Sequence, residues 1–183
     1  MALELGDIQG NVLPGFYKDV QDFFFVRFSG RREAREWLRR ISPYVSYAAE
    51  ISRANADFLA RKQRGNVSPT PQFWVNVALS YQGLQVLGAT GLQSFPIEFR
   101  ASAEDRARRL GDRPTYATWD IGGPQTEPDA LVILGANDDA QMQTLYEHFA
   151  IDGKTMCGAP ILALKRGRTL GGAEHFGFKD GLS

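Results

Sequence analysis

The stretch that decides the fold is DFFFVRF, residues 22–28. Aromatic and β-branched residues favour extended backbone, so this stretch is predicted to be a strand. Because side chains alternate along a strand, Phe24 and Val26 would lie on one face and Phe23 and Phe25 on the other. Both faces are therefore apolar, which indicates a sheet that is covered on both sides.

After this strand, stretches with helical periodicity alternate along the chain with stretches that are apolar and extended. The predicted elements are the strand at 22–28, a helix carrying Ala34, Trp37, Leu38 and Ile41, a second helix from Ser42-Pro43 to about Lys62, a strand at 73–79, a short helix at 81–88, a polar helix within 95–112, a strand at 130–135, a helix carrying Met142, Leu145, Tyr146 and Phe149, and a last strand at 159–167. Residues 113–129, rich in Gly and Pro, are predicted to form a long surface loop.

The long elements follow the order strand, helix, strand, strand, helix, strand. This is the βαββαβ arrangement of a ferredoxin-like α+β domain, in which an antiparallel sheet carries helices on one face. Residues 1–183 are predicted to form a single such domain. Its helices leave the second apolar face of the sheet to be covered by something else.

Composition sets limits on the function. Lys+Arg and Asp+Glu are equal at 21 each, which argues against nucleic acid and anionic membranes as partners. No run of about 18 apolar residues exists, so no membrane span is predicted. The N-terminus has no basic and apolar signal segment, and we expect the protein in the cytoplasm. The one cysteine, Cys157, is expected to be a reduced thiol packed among apolar side chains.

The residue patterns alone give few candidates for chemistry. The stretch HFGFKDGLS, residues 175–183, contains Gly177-x-x-Asp180-Gly181, which by itself is most simply an Asp-Gly turn. His175 is expected to be a packed side chain and His148 to be exposed on a helix. Two distant histidines without acidic or cysteine companions predict no metal site.

Two groups of arginines remain. Arg106, Arg108 and Arg109 are expected to form a solvated helix face. Arg166 and Arg168 either bind an anion or simply end a strand in water, and the second interpretation is preferred.

Five blocks of the sequence, in this order and spacing, resemble the dye-decolorizing peroxidases, which are haem enzymes of bacteria and fungi. The resemblance spans nearly the whole chain and is carried by LGDIQGNVLPGF (5–16), WVNVALSYQGLQVLG (74–88), SFPIEFR with RARRLGD (94–112), PDALVILGANDDA (128–140) and EHFGFKDG (174–181). It implies two ferredoxin-like domains packed sheet to sheet, a dimeric α+β barrel, with haem b in the cavity of the second domain.

The resemblance also implies roles for individual residues. Asp180 would be the distal aspartate that takes a proton from hydrogen peroxide and assists cleavage of its O–O bond. Gly177, Phe178, Asp180 and Gly181 would line the haem, and His175 would not be the iron ligand. The proximal histidine and the distal arginine come from the second half in this family, so this chain is expected to hold no metal by itself.

Two functions from different classes follow. In the first, the chain is the N-terminal half of a peroxidase that oxidises dyes and phenolic donors once a C-terminal half completes it. In the second, it is a haem-free, ferredoxin-like binding or oligomerisation module. Either way, the uncovered sheet face predicts a homodimer or a complex with a C-terminal peroxidase half.

Overall fold

The computed structural model describes residues 3–65, 68, 72–112 and 116–169. Its elements are β1 (Val20–Val26), α1 (Arg31–Ile41), α2 (Ala48–Gln63), β2 (Trp74–Leu79), α3 (Tyr81–Leu87), α4 (Ile97–Arg100), α5 (Ala103–Leu110), β3 (Ala130–Ala136), α6 (Asp139–His148), β4 (Thr155–Met156) and β5 (Ala159–Arg168). None of the helices in these ranges is both long and apolar enough to cross a lipid bilayer.

The strands form one antiparallel sheet in the order β2-β3-β1-β5-β4. The four long strands therefore have the ferredoxin-like order, and the predicted α+β fold is confirmed. The short strand β4 was not predicted from the sequence. It pairs with the start of β5 through a tight turn in which both Cys157 and Gly158 have positive φ, at 52° and 86°. A cysteine is a rare residue for that conformation, so the turn has no clear signature in the sequence.

The main core lies between the sheet and the helices α1 and α6. Phe24 and Val26 of β1 are fully buried there, as the alternation of the opening stretch predicted. From the helices packed on this face, α1 contributes Trp37 and Ile41, and α6 contributes Leu145. The helical stripes predicted from the sequence are the buried faces of these two helices.

The other face of the sheet is only partly covered. At its centre, Phe23 pairs with Ile133 and Phe25 with Leu131, and all four side chains are half-buried. We call these four residues the open apolar patch. The patch confirms that the central strands are apolar on both faces.

The prediction that helices cover one face alone is wrong at β2. Trp74 points to the same face as the open apolar patch, yet it is 2% exposed. It is buried by Ile51 and Ala54 of α2 and by Phe16 of the N-terminal segment. This position could not be predicted from the sequence, because α2 has only a short apolar face that either side of the sheet could accept.

One predicted helix begins later than expected, and another is divided in two. Residues Ser42–Tyr44 form a 3₁₀ turn, and α2 begins only at Ala48. Between them Ser46 is used to satisfy the edge of β2: its N–H donates to the Val75 carbonyl at 2.8 Å, and its hydroxyl accepts from the Val75 N–H at 3.0 Å. The polar helix predicted within 95–112 is divided into α4 and α5, because Ser102 is extended and caps α5.

The N-terminal segment completes the same edge. The side-chain amide of Gln9 accepts from the Val77 N–H at 2.9 Å and donates to the Val77 carbonyl at 2.8 Å, as a neighbouring strand would. The side-chain amide of Asn76 donates to Gln9 Oε1 at 2.5 Å. We call Gln9 and Ser46 the edge cap of β2.

Candidate functional site

The predicted site residues Gly177, Phe178, Asp180 and Gly181, and His175 beside them, lie outside the described residues. The structure instead describes the end of β5, from which their segment follows. There the backbone N–H of Thr169 donates to the carbonyl of Asp19 at 2.9 Å, and the Thr169 hydroxyl is 2.9 Å from the Asp19 carboxylate. The end of β5 is therefore tied to the residue that precedes β1.

A small cleft of about 220 Å³ lies at this end of the sheet and is lined by Lys18, Asp19, Gln21, Phe23, Gly167, Arg168 and Thr169. Lys18 is 5% exposed and its ammonium lies 5.2 Å from the ring centre of Trp74. The ammonium donates to Asn137 Oδ1 at 2.8 Å and to the Gln72 carbonyl. Burial lowers the pKa of Lys18 from 10.5 to about 8, and the charge of Asp19 opposes that shift.

On the helix-covered face, the same end of the sheet carries a group of ionisable side chains. We call it the Asp22 cluster: Asp22, Asp139, Tyr146, Arg166 and Arg168. Asp22 is 1% exposed. Its carboxylate accepts from the Tyr146 hydroxyl at 2.5 Å and from Arg168 Nη1 at 3.3 Å, and it lies 3.8 Å from Arg166 Nε. Burial, followed by the bond to Asp22, raises the pKa of Tyr146 to about 12.

Sequence reasoning missed the Asp22 cluster. The signal was present, since Asp22 occupies an inward position of β1 between Val20 and Phe24, where an apolar residue is expected. Arg166 and Arg168 do reach solvent, with side chains 58% and 36% exposed, as predicted for a strand end. Both are nevertheless held by Asp22, and the two carboxylates of the cluster balance the two guanidinium charges.

The remaining candidates behave as expected. His148 is exposed and meets the Tyr44 ring edge-on at 4.6 Å. Cys157 is half-buried, its thiol donates to the Phe149 carbonyl at 3.4 Å, and burial raises its pKa. Arg106, Arg108 and Arg109 are exposed on α5.

Within the described ranges, no three His, Cys, Asp or Glu side chains gather as a metal site would require. A larger cleft of about 370 Å³ lies between α1 and the β4–β5 turn, and Trp37 and Cys157 are among its lining residues. Since Val20 pairs with Arg168 and Val26 with Ile161, that cleft and the end of β5 lie at opposite ends of the sheet. The small cleft and the Asp22 cluster thus lie together at the end of β5, away from the larger cleft.

The sequence is similar to known peroxidases along its whole length. It is 27% identical over 189 residues to a dye-decolorizing peroxidase of Mycena epipterygia, covering 100% of this chain and 32% of that protein. It is 26% identical over 196 residues to a dye-decolorizing peroxidase of Exidia glandulosa, with 100% and 34% covered. The chain spans about a third of the length of these relatives.

Solved structures show the same fold. The F194W mutant of the dye-decolorizing peroxidase from Pleurotus ostreatus superposes with a TM-score of 0.79 at 24% identity, over 100% of this chain and 40% of that one. A DyP-type peroxidase of Anabaena sp. gives 0.73 at 24% identity, over 94% and 36%. The family model described as "DyP dimeric alpha+beta barrel domain" matches residues 7–159. The chain therefore belongs to this family, the N-terminal domain of the dye-decolorizing peroxidases.

Proposed function

We propose that this chain is the domain of a haem-dependent peroxidase that supplies Asp180 as the acid–base group acting on hydrogen peroxide. The observation that carries the proposal is the family match over residues 7–159, which is followed in this sequence by Gly177-x-x-Asp180-Gly181. Relatives that cover the whole chain are named dye-decolorizing peroxidases. An organic reductant, such as a dye or a phenol, is the proposed second substrate.

In this proposal Asp180 accepts a proton from hydrogen peroxide and returns it to the oxygen that leaves as water. A carboxyl group suits that task in acid, because its ordinary pKa near ~3.9 keeps it basic where a histidine would be protonated. Gly177 and Gly181 leave room for a close approach of the backbone to a flat ligand, and Phe178 adds an apolar surface.

Haem b would supply the iron centre at which peroxide is activated. The described residues of this chain do not fit the role of axial ligand, because His148 is exposed beside Tyr44 and the Cys157 thiol bonds to a carbonyl. We therefore propose that the proximal histidine and the distal arginine belong to a second domain, and that residues 1–183 form one domain that faces it.

The open apolar patch supports this arrangement. Four large side chains of the central strands, Phe23, Phe25, Leu131 and Ile133, are only half-buried. A second ferredoxin-like domain packed on that face would finish their burial. In its absence a second copy of this chain would be the partner.

The test is Asp180→Asn in haem-loaded protein that contains both this domain and the haem-ligating domain. We expect the second-order rate with hydrogen peroxide to fall by about 10²–10⁴-fold, the range for loss of a positioned general base, with haem content unchanged. Asp152→Asn, which alters an exposed acid, serves as the matched control. A rate for Asp180→Asn equal to that of the unchanged protein would contradict the proposal.

The open apolar patch also favours a second candidate function, a haem-free module that associates through its sheet. The two functions differ in what the purified 183-residue chain does with haem and with the second domain. A chain that stays colourless with added haem, and that pairs with itself in preference to the second domain, would favour the module. The cytoplasmic location expected from the sequence stays a prediction.

A further inference from the structure

The Asp22 cluster is a buried charged group at a place where the sheet needs none. Asp22 faces the same side of β1 as Val20 and Phe24, both of which belong to the main core. A buried carboxylate is unfavourable unless partners replace its lost water. An apolar side chain would fill the same position without that requirement.

Among the described residues, the partners of Asp22 come from two elements, α6 and the last residues of β5. Arg166 lies directly opposite Asp22 in the β1–β5 pairing, and Arg168 lies opposite Val20. Arg168 is held from two sides, by Asp22 at 3.3 Å and by Asp139 of α6 at 2.5 Å. Tyr146 donates to the other carboxylate oxygen of Asp22.

The balance of charge in the cluster argues against an anion site. Two guanidinium groups face two carboxylates, so no net positive charge is left for a phosphate or a carboxylate ligand. The cluster instead fixes the orientation of a side chain, because a planar guanidinium bonded to two acids has one favoured orientation. The cluster therefore fixes the side chains of Arg166 and Arg168 at the end of β5.

The motif lies in the segment that follows this end of β5 in the sequence. Thr169 follows Arg168 and is itself bonded to Asp19 through its backbone and its hydroxyl. We propose that Asp22 is a positioning residue, which clamps Arg166 and Arg168 and so fixes the end of β5, to which the segment carrying Asp180 is joined in the sequence. The inference rests on the function proposed for Asp180.

The matched control lies on the same strand but on the other face of the sheet. Lys165 pairs with Asp120 at 3.3 Å, with side chains 55% and 82% exposed. Exposed pairs of this kind contribute little to stability or to local order. Asp120→Asn therefore removes an ion pair of β5 without touching the clamp.

The first test measures hydrogen exchange in the 183-residue chain. In Asp22→Asn, exchange at Gly167–Thr169 should accelerate at least tenfold, while β3 exchanges as before; Asp120→Asn should change neither. Unchanged exchange at Gly167–Thr169, or equal acceleration in β3, would overturn the proposal. Should Asp22→Asn fail to fold, Arg168→Leu decides by the same criteria, since its side chain is partly exposed.

The second test uses the haem-loaded two-domain protein. Asp22→Asn should lower the second-order rate with hydrogen peroxide about tenfold and leave the KM of the reductant unchanged, a split that general destabilisation would not produce. An unchanged peroxide rate overturns the positioning role. An unaffected rate in Asp180→Asn instead overturns the function proposed for Asp180, and the exchange experiment still decides whether the clamp exists.

Discussion

Lys18 is a cation held where water is largely excluded. Its folded-state pKa is lowered from 10.5 to about 8, mainly by burial. Between about pH 8 and 10.5 the unfolded chain therefore keeps a proton that the folded chain has released. It follows that this group makes the free energy of unfolding rise with pH across that window.

We expect the difference in unfolding free energy between the natural protein and Lys18→Met to change by roughly 1–3 kcal/mol from pH 8 to pH 10, in favour of the natural protein, because each unit of pKa is worth about 1.4 kcal/mol. Urea unfolding at several pH values measures it. Taking the difference cancels the titration of groups that both proteins share. A difference that stays flat would mean that Lys18 has an ordinary pKa.

Gly83 is a helical glycine whose replacement should have the opposite of the usual effect. In an exposed helix, Gly→Ala stabilises by up to about 1 kcal/mol. Here a Cβ would lie 2.0 Å from the backbone carbonyl oxygen of Asp129, which is fixed by the N–H of Ser80. We expect Gly83→Ala to destabilise by about 1–3 kcal/mol, the range for overpacking, as measured by thermal or urea unfolding.

Gly6→Ala is the control, because a Cβ there meets nothing within 4 Å. We expect it to change stability by less than about 0.5 kcal/mol. Equal effects of the two substitutions would show that the close approach of α3 to Asp129 does not exist in solution.

At the scale of elements, the edge cap of β2 is made by two segments distant in sequence. Gln9 replaces a strand partner at Val77, and Ser46 does so at Val75. Gln9→Ala should destabilise the chain by about 1–3 kcal/mol, since it removes the side-chain partner of the Val77 N–H and carbonyl and one of the two acceptors of the Asn76 amide. Thermal unfolding measures the loss, with Gln125→Ala, at an exposed position, as control.

The Gln9 variant has a second expected result. An uncovered strand edge pairs readily with other chains, so Gln9→Ala should also aggregate faster on mild heating. Turbidity at a fixed temperature below the unfolding midpoint records this. A variant that unfolds and aggregates like Gln125→Ala would show that Gln9 contributes no cap.

The helices and strands were largely predictable from the sequence, and the errors in their predicted boundaries have local causes. The alternation of residues 22–28 and the helical spacing of apolar residues in α1 and α6 extend over enough residues to identify each element without ambiguity. Ser46 and Ser102 interrupt predicted helices because each is needed in an extended conformation, one for pairing with Val75 and one as a cap. Asp22 was missed although its inward position on β1 was a signal, because its partners in α6 and β5 are distant in sequence.

At the scale of the whole molecule, the open apolar patch predicts association. Burying a large apolar side chain gains about 1.5–3 kcal/mol, and four such residues remain half-buried on one face. We expect the 20.3 kDa chain to run as a dimer at micromolar concentration in light scattering coupled to size exclusion. Phe25→Glu should shift it to a monomer, because a charge would be buried in the interface.

Leu110→Glu is the matched control, since Leu110 is 74% exposed on α5, away from the patch. Circular dichroism confirms that each variant stays folded. A natural chain that remains at 20 kDa on dilution and at high concentration alike would mean that the sheet face needs no partner, and that the prediction from its alternating strands is wrong.

Because the edge cap already satisfies the outer backbone groups of Val75 and Val77, partners gain little by adding a strand at β2. Association would instead be governed by the apolar face. Association through the apolar face and addition of a strand at β2 should depend differently on temperature. Apolar burial carries a large negative heat-capacity change and weakens on cooling. A partner held on the open apolar patch should therefore dissociate more readily in the cold.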